Sequence, residues 1–282
     1  MGTNENLVLI YDKDCPFCKW YTGLFVKYGF LNKNGRIPFD VAIENEHFIF
    51  DLETSKNKIA LFNKMNNEVE YGIDSLLTVL NTKFKYIKTI GKLPIIYQFL
   101  NLFYSFISFN RKVIAPSKFK EICSGKVNCE PSKNYFWRIF FIIICGILVN
   151  YSTWIYFNQH LEKYFIATFE WIDLIFFTSQ FLFQYIIFKL LKQKNFYDYA
   201  GQIAFISFLG GILLLVFHFG LRILNEFKID IEMLEPLCYG IVYMFMLMLH
   251  SKRIKMLKIS AWMSVSWVLF RFIIYPFAFK TM

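Results

Sequence analysis

Five apolar stretches, at about 137–157, 172–191, 199–219, 235–250 and 259–277, fill almost all of the chain after residue 134. A hydrocarbon core about 30 Å thick takes about 20 apolar residues of α-helix to cross, and lipid tolerates only backbones that satisfy their own polar groups. Residues 135–282 are therefore expected to form an all-α transmembrane bundle of about five helices. The fourth stretch is the weakest, about 16 residues long with Pro236 near its start. Composition agrees: 56% of the chain is apolar, 18% is charged and the mean hydropathy is +0.39. Soluble domains average about 45–50% apolar and about 25% charged.

The net charge of +10 does not point to nucleic acid. The lysines flank the apolar runs and do not alternate with exposed aromatics along a stripe, so they read as membrane flanks. Connections alternate in sign: Lys118, Lys120, Lys126 and Lys133 precede the first span, and Lys189, Lys192 and Lys194 surround the second turn. "NEFKIDIEMLE" is net acidic, and "SKRIKMLK" before the last span is basic. Counting positive loops as inside places the N-terminus in the cytoplasm and the C-terminus outside. "MGTNENLVLIYDKD" has no basic start and no long apolar core, so no secretory signal is expected, and Asn6 departs from the myristoylation pattern. The Asn, Lys, Ile and Phe bias points to an A/T-rich bacterial genome and hence to a cell inner membrane, with membrane lipids as neighbours.

Residues 1–115 read differently. "LVLIYD" (7–12) is a buried strand and "CPFCKWYTGLFVKYGFL" a helix, with Pro16 in its first turn, where a missing N–H costs nothing. "RIPFDVAI" (36–43) reads as a second strand and "ENEHFIFDL" (44–52) as a short helix. "KIALFN" and "EVEYG", joined by "KMNN", read as a hairpin, and "IDSLLTVLNTKF" as a closing helix. The order β-α-β-α-β-β-α with a C-x-x-C between first strand and first helix predicts a thioredoxin-like α/β domain, followed by a linker over 116–134.

Cys15 and Cys18 occupy the strand-to-helix junction. A helix N-terminus offers free N–H groups and the positive end of the macrodipole, which favour a thiolate there. Cys15 is then the nucleophile, and Cys18, one turn on, the thiol that releases a mixed disulfide. Two other readings stand beside this one: inert core cysteines, and half of a zinc site completed by Cys123 and Cys129, whose five-residue gap exceeds the usual two to four. Asp12 is either a proton acceptor and electrostatic brake on the thiolate or a carboxylate that shapes the turn. Asp14 is expected to cap the helix, and "GIDS" (72–75) to be an ordinary helix start.

"YDKDCPFC" resembles the D-x-x-C-x-x-C signature of the DCC family of thiol–disulfide oxidoreductases, with Asp12, Cys15 and Cys18 as its letters. "YGIDSLLTVL" (71–80) and "FYSFISFNRKVI" (103–114) are similar to later parts of that domain, so the likeness covers roughly residues 5–130. It implies a thioredoxin-like fold and dithiol–disulfide exchange with a protein or small-molecule partner. Thioredoxins place a cis-proline before the third strand to hold the substrate backbone, whereas "ETSKNKIALF" has none, so substrate docking is expected to differ. No metal or organic cofactor is required by these residues.

The remaining segments leave choices open. "LPIIYQFLNLFYSFISFNRK" (93–112) has an apolar run of about 15 residues, too short to span, and basic residues at both ends. It is expected to lie on the sheet or on the membrane surface, with Gln98, Asn101, Ser105 and Ser108 as a polar stripe. Cys145 and Cys238 fall at depths about 13–15 Å apart, beyond disulfide reach. Cys123 and Cys129 are linker cysteines or a resolving pair. Glu170, Asp173, His218, Arg222, Glu235 and Arg271 all fall near the outer ends of their spans, either ringing a site or snorkelling to the interface. The reading that unites these features is a membrane-anchored thiol–disulfide oxidoreductase. Its rivals are a transport or lipid-handling protein with a redox-sensing head, and an anchor that recruits a partner.

Overall fold

The computed structural model describes residues 5–116, 132–163 and 172–274. The chain divides into two compact units, Met1–Trp137 and Arg138–Met282. Cys123, Cys129, Glu170 and Trp171 lie outside the described residues, as do Tyr275 and the side chain of Asp173.

The first unit is built on a four-stranded mixed sheet of order β2-β1-β3-β4, from β1 (Leu7–Tyr11), β2 (Arg36–Pro38), β3 (Ala60–Asn63) and β4 (Glu68–Tyr71). β1 pairs parallel to β2, with Ile10 opposite Ile37, and antiparallel to β3, with Leu9 opposite Leu61. β3 and β4 form the expected hairpin. The continuous apolar run of β1 is explained by burial on both sides, since successive side chains point to opposite faces. Leu7, Leu9 and Leu61 pack with Leu31, Ile59 and Val79 on one face. Ile10 and Ala60 pack with Phe39 and Ala42 on the other.

Helix α1 (Pro16–Lys27) follows β1 and α4 (Ile73–Asn81) follows β4. The strand expected over 36–43 stops at Pro38, and the helix expected over 44–52 is replaced by two pieces, α2 (Phe39–Ile43) and α3 (Leu52–Asn57). Both shifts have local causes. Pro38 sits extended at the start of α2, where its ring suits a helix entry. Asp51 caps α3, its carboxylate accepting from the N–H groups of Glu53 and Thr54 at 3.1 and 3.3 Å.

After the short α5 (Ile87–Gly91), α6 (Pro94–Ile114) runs 21 residues. The polar stripe read from the sequence is split between solvent and the domain. Gln98 and Asn101 are exposed, while Tyr97, Tyr104, Ser108 and Arg111 hold the helix to the domain. Tyr97 Oη donates to Asp74 at 2.8 Å, and Tyr104 Oη accepts from Ile59 N–H at 2.9 Å. Its first turns leave Ile95, Phe99 and Phe103 exposed.

The second unit contains α7 (Tyr135–Tyr156, begun in the first unit), α8 (Ile172–Leu190), α9 (Phe196–Glu226), α10 (Leu234–Met256) and α11 (Trp262–Ile274). A π-helical turn, Phe157–Leu161, extends α7. Among the described residues three helices are long and apolar enough to cross a membrane: Tyr135–Leu161, Phe196–Glu226 and Leu234–Met256. The stretch read as weakest is thus a full 23-residue helix. Pro236 falls in its first turn, where it displaces no hydrogen bond. α8 and α11 are apolar but shorter over their described residues, Leu174–Leu190 and Trp262–Ile273, so the five spans expected are met by length for three. α9 and α10 approach closely at Gly210, where a Cβ would lie 2.4 Å from Met246 Sδ.

Leu61 is 2% exposed at the centre of the sheet. Leu61→Ala should cost about 2–5 kcal/mol, read as a lower denaturant midpoint for the first unit's transition with an unchanged slope.

Candidate functional site

The cysteine pair is positioned by the end of β1 and the start of α1. Cys15 is the N-cap of α1, and its Sγ accepts from Cys18 N–H at 3.3 Å. Asp14 is therefore not the cap, as the sequence suggested. The thiol occupies that place because its sulfur, one bond from Cβ, reaches the N3 amide. Asp12 shapes the loop ahead of it: Oδ1 accepts from Asp14 N–H at 3.0 Å and from Cys15 N–H at 3.2 Å. Its other oxygen, Oδ2, lies 3.2 Å from Arg111 Nη2. Asp12 thus has the turn-shaping role and a charge partner as well.

The sequence offers Arg111 only as one of the basic residues that end the 93–112 segment. Arg111 is buried at 7% exposure. Nη2 donates to Lys56 O at 2.8 Å, and Nη1 to Asn57 O at 3.3 Å and Ser108 Oγ at 3.4 Å. Ser108 also donates to Asn57 O. A buried guanidinium needs a counter-ion and acceptors; this one has Asp12, two backbone carbonyls and Ser108, with only Nε unpaired among the described residues. The available signal was register: Arg111 continues the row Tyr104–Ser108 at helical spacing.

The electrostatics separate the two thiols. Cys15 is lowered to about 7, chiefly by the hydrogen bond from the Cys18 thiol, with the Cys18 N–H and Arg111 adding and burial and Asp12 opposing. Cys18 is pushed well up, first because it donates to the Cys15 sulfur and second by burial. Above neutral pH the reduced pair is a thiolate at Cys15 and a thiol at Cys18. Both are free in this structure, as are Cys145 and Cys238. Among the described residues no group of three or more His, Cys, Asp or Glu side chains is placed to hold a metal.

The sulfurs are shielded from the outer surface: Cys15 is 2% exposed and Cys18 7%. Cys18, but not Cys15, reaches a cavity inside the unit. This cavity of about 400 Å³ opens between α1, α4, α6 and the sheet, and Cys18, Asp12 and Arg111 line one part of it. Phe17, Tyr21, Leu76, Phe103 and Ile107 supply apolar wall.

Alkylation of the reduced chain by iodoacetamide should report Cys15 half-ionised near pH 7. Arg111→Met should raise that midpoint by removing a nearby positive charge, and Asp12→Asn should lower it by removing a negative one. Mass mapping of the labelled thiol at each pH gives both shifts. Opposite signs would show that the two groups do not act on the sulfur through charge.

Comparison of the chain with family models, with curated proteins and with solved structures finds no match.

Proposed function

We propose that the protein is a membrane-anchored thiol–disulfide oxidoreductase whose α/β head has a thioredoxin-like fold and acts on a small apolar thiol or disulfide. The sheet order β2-β1-β3-β4, with β1 parallel to β2 and antiparallel to β3, is the arrangement such a head requires. The resemblance of "YDKDCPFC" to the DCC signature supports the same reading. Cys15, as thiolate, attacks one sulfur of the substrate disulfide and the other sulfur leaves as a thiolate. Cys18 then loses its proton and attacks Cys15, expelling the second substrate thiolate and leaving a Cys15–Cys18 disulfide. Asp12 and Arg111 hold the loop and balance charge around the attacking sulfur.

The observation that carries the substrate class is what covers the backbone ahead of β3. Thioredoxins hold a peptide substrate there. In this chain the Lys56 and Asn57 carbonyls accept from Arg111, and the Ile59 N–H donates to Tyr104. A peptide binding there would have to displace these bonds. The cavity beside Cys18 is the remaining approach, and its walls suit an aromatic or aliphatic disulfide. The head faces the cytoplasm on the positive-inside count, with the helical part multi-pass in an inner membrane.

The test uses the full-length chain in nanodiscs. A Cys18→Ala variant should accumulate a mixed disulfide at Cys15 with an aryl disulfide, at least about tenfold faster than with a disulfide-bonded protein, since the apolar cavity walls suit the former. Equal trapping by both would remove the small-molecule assignment. Trapping by neither, with a Cys15 pKa near the free value of about 8.5, would remove the oxidoreductase.

A further inference from the structure

The second unit holds a buried chain of three ionisable side chains that the cysteine chemistry does not use. His160 Nδ1 lies 3.0 Å from Glu235 Oε1, and His160 Nε2 lies 3.1 Å from His218 Nδ1. All three residues are buried, at 6, 8 and 4% exposure. They come from three helices: His160 from the π-helical turn that ends α7, His218 from the last third of α9, Glu235 from the first turn of α10. Of the six residues singled out near span ends, His218 and Glu235 therefore meet, and His160 joins them unannounced.

Two further observations mark this as built for chemistry. The π-helical turn at Phe157–Leu161 is an uncommon device, found mostly where a side chain must be re-aimed at a functional position. Tyr156 Oη, just before it, donates to Glu235 O at 2.6 Å and fixes the first turn of α10 against α7. The contrast with His250 is informative. Both of its ring nitrogens are engaged, by Tyr199 Oη at 3.0 Å and Ser264 Oγ at 2.9 Å, whereas His218 Nε2 makes no hydrogen bond among the described residues.

Hydrogen-bond logic fixes the protons. An ionised Glu235 only accepts, so neutral His160 donates Nδ1–H to it and keeps a bare Nε2. That nitrogen accepts from His218 Nδ1–H, which leaves His218 Nε2 with a free lone pair. We propose that His218 Nε2 is the working end of a Glu235–His160–His218 proton relay, a base that takes a proton from a weak O–H or S–H acid presented at this end of the helices. The proton added at His218 Nε2 is balanced by transfer of the Nδ1 proton to His160 Nε2. The loaded state is then an imidazolium at His160 paired with the Glu235 carboxylate, beside a neutral His218 that now carries Nε2–H. The same nitrogen is a base when the relay is empty and an acid when it is filled.

The other charged or titratable groups facing the relay are few. Lys163, beyond the π-helical turn, lies 3.6 Å from Glu235 Oε2 and 3.0 Å from Glu232. Arg222 stands one turn beyond His218 on α9 and is exposed. Tyr156 and Cys238 belong to the apolar cluster around the site.

The chain has four histidines, so solid-state NMR of ¹⁵N-histidine-labelled protein in liposomes can resolve each ring nitrogen. At high pH His218 should show a pyridine-like Nε2 and His160 a pyridine-like Nε2 with Nδ1–H. On acidification both should change in one coupled step, to a doubly protonated His160 and an Nε2–H at His218. In Glu235→Gln that step should move down by about one pH unit or more, because the imidazolium loses its counter-ion. A His218 that carries Nε2–H at every pH overturns the proposal, as do two independent titrations or an unmoved midpoint in a folded Glu235→Gln chain. Should that variant not fold, the wild-type tautomers alone decide.

Discussion

The Arg111 guanidinium is the contact on which the first unit depends. It lies buried on α6, far from β1 in sequence, and it ties together the Asp12 carboxylate and the carbonyls of Lys56 and Asn57. Through Asp12 it orders the turn that presents Cys15 to the first turn of α1. Through the two carbonyls it ties down the end of α3 ahead of β3. Removing it would leave Asp12 without its charge partner and the Lys56 and Asn57 carbonyls without its N–H groups. Helix α6 is therefore part of the thiol site and not merely a tether toward the spans.

The helical unit uses the same economy of polar groups in a setting with less water. Buried polar side chains gather at both ends of the α9–α10 pair. At one end Tyr199, Gln184, His250 and Ser264 saturate one another, and the cluster has the character of a structural pin. At the other, Glu235, His160 and His218 stop one bond short of saturation. In a hydrocarbon environment an open valence is expensive to keep, and that is the physical distinction between the two clusters.

Much of the head was legible because β1, α1 and the hairpin carry strong local signals: a run buried on both faces, a proline in the first turn, and an alternating pair of strands about a polar turn. The region 36–57 was not, because its boundaries are set by Pro38 and the Asp51 cap and hardly at all by periodicity. Cys15, Cys18 and Asp12 could be placed together from spacing alone. Arg111 could not, since its partners are brought to it by tertiary contacts across more than half of the first unit. In the membrane part, hydropathy located every helix but misjudged relative lengths, reading α10 as weak because of Pro236 and overlooking that a proline is harmless in a first turn. His160 was missed because a single histidine beyond a span looks like an interfacial residue until the π-helical turn swings it inward.

That Cys15 serves as the cap of its own helix has a further result. The anion that closes the end of α1 exists only while the pair is reduced. Joining the two sulfurs would abolish a negative charge beside a buried guanidinium and leave Asp12 as its sole anionic neighbour. The seating of α6 on the sheet would then rest on Asp12 and on the Lys56 and Asn57 carbonyls.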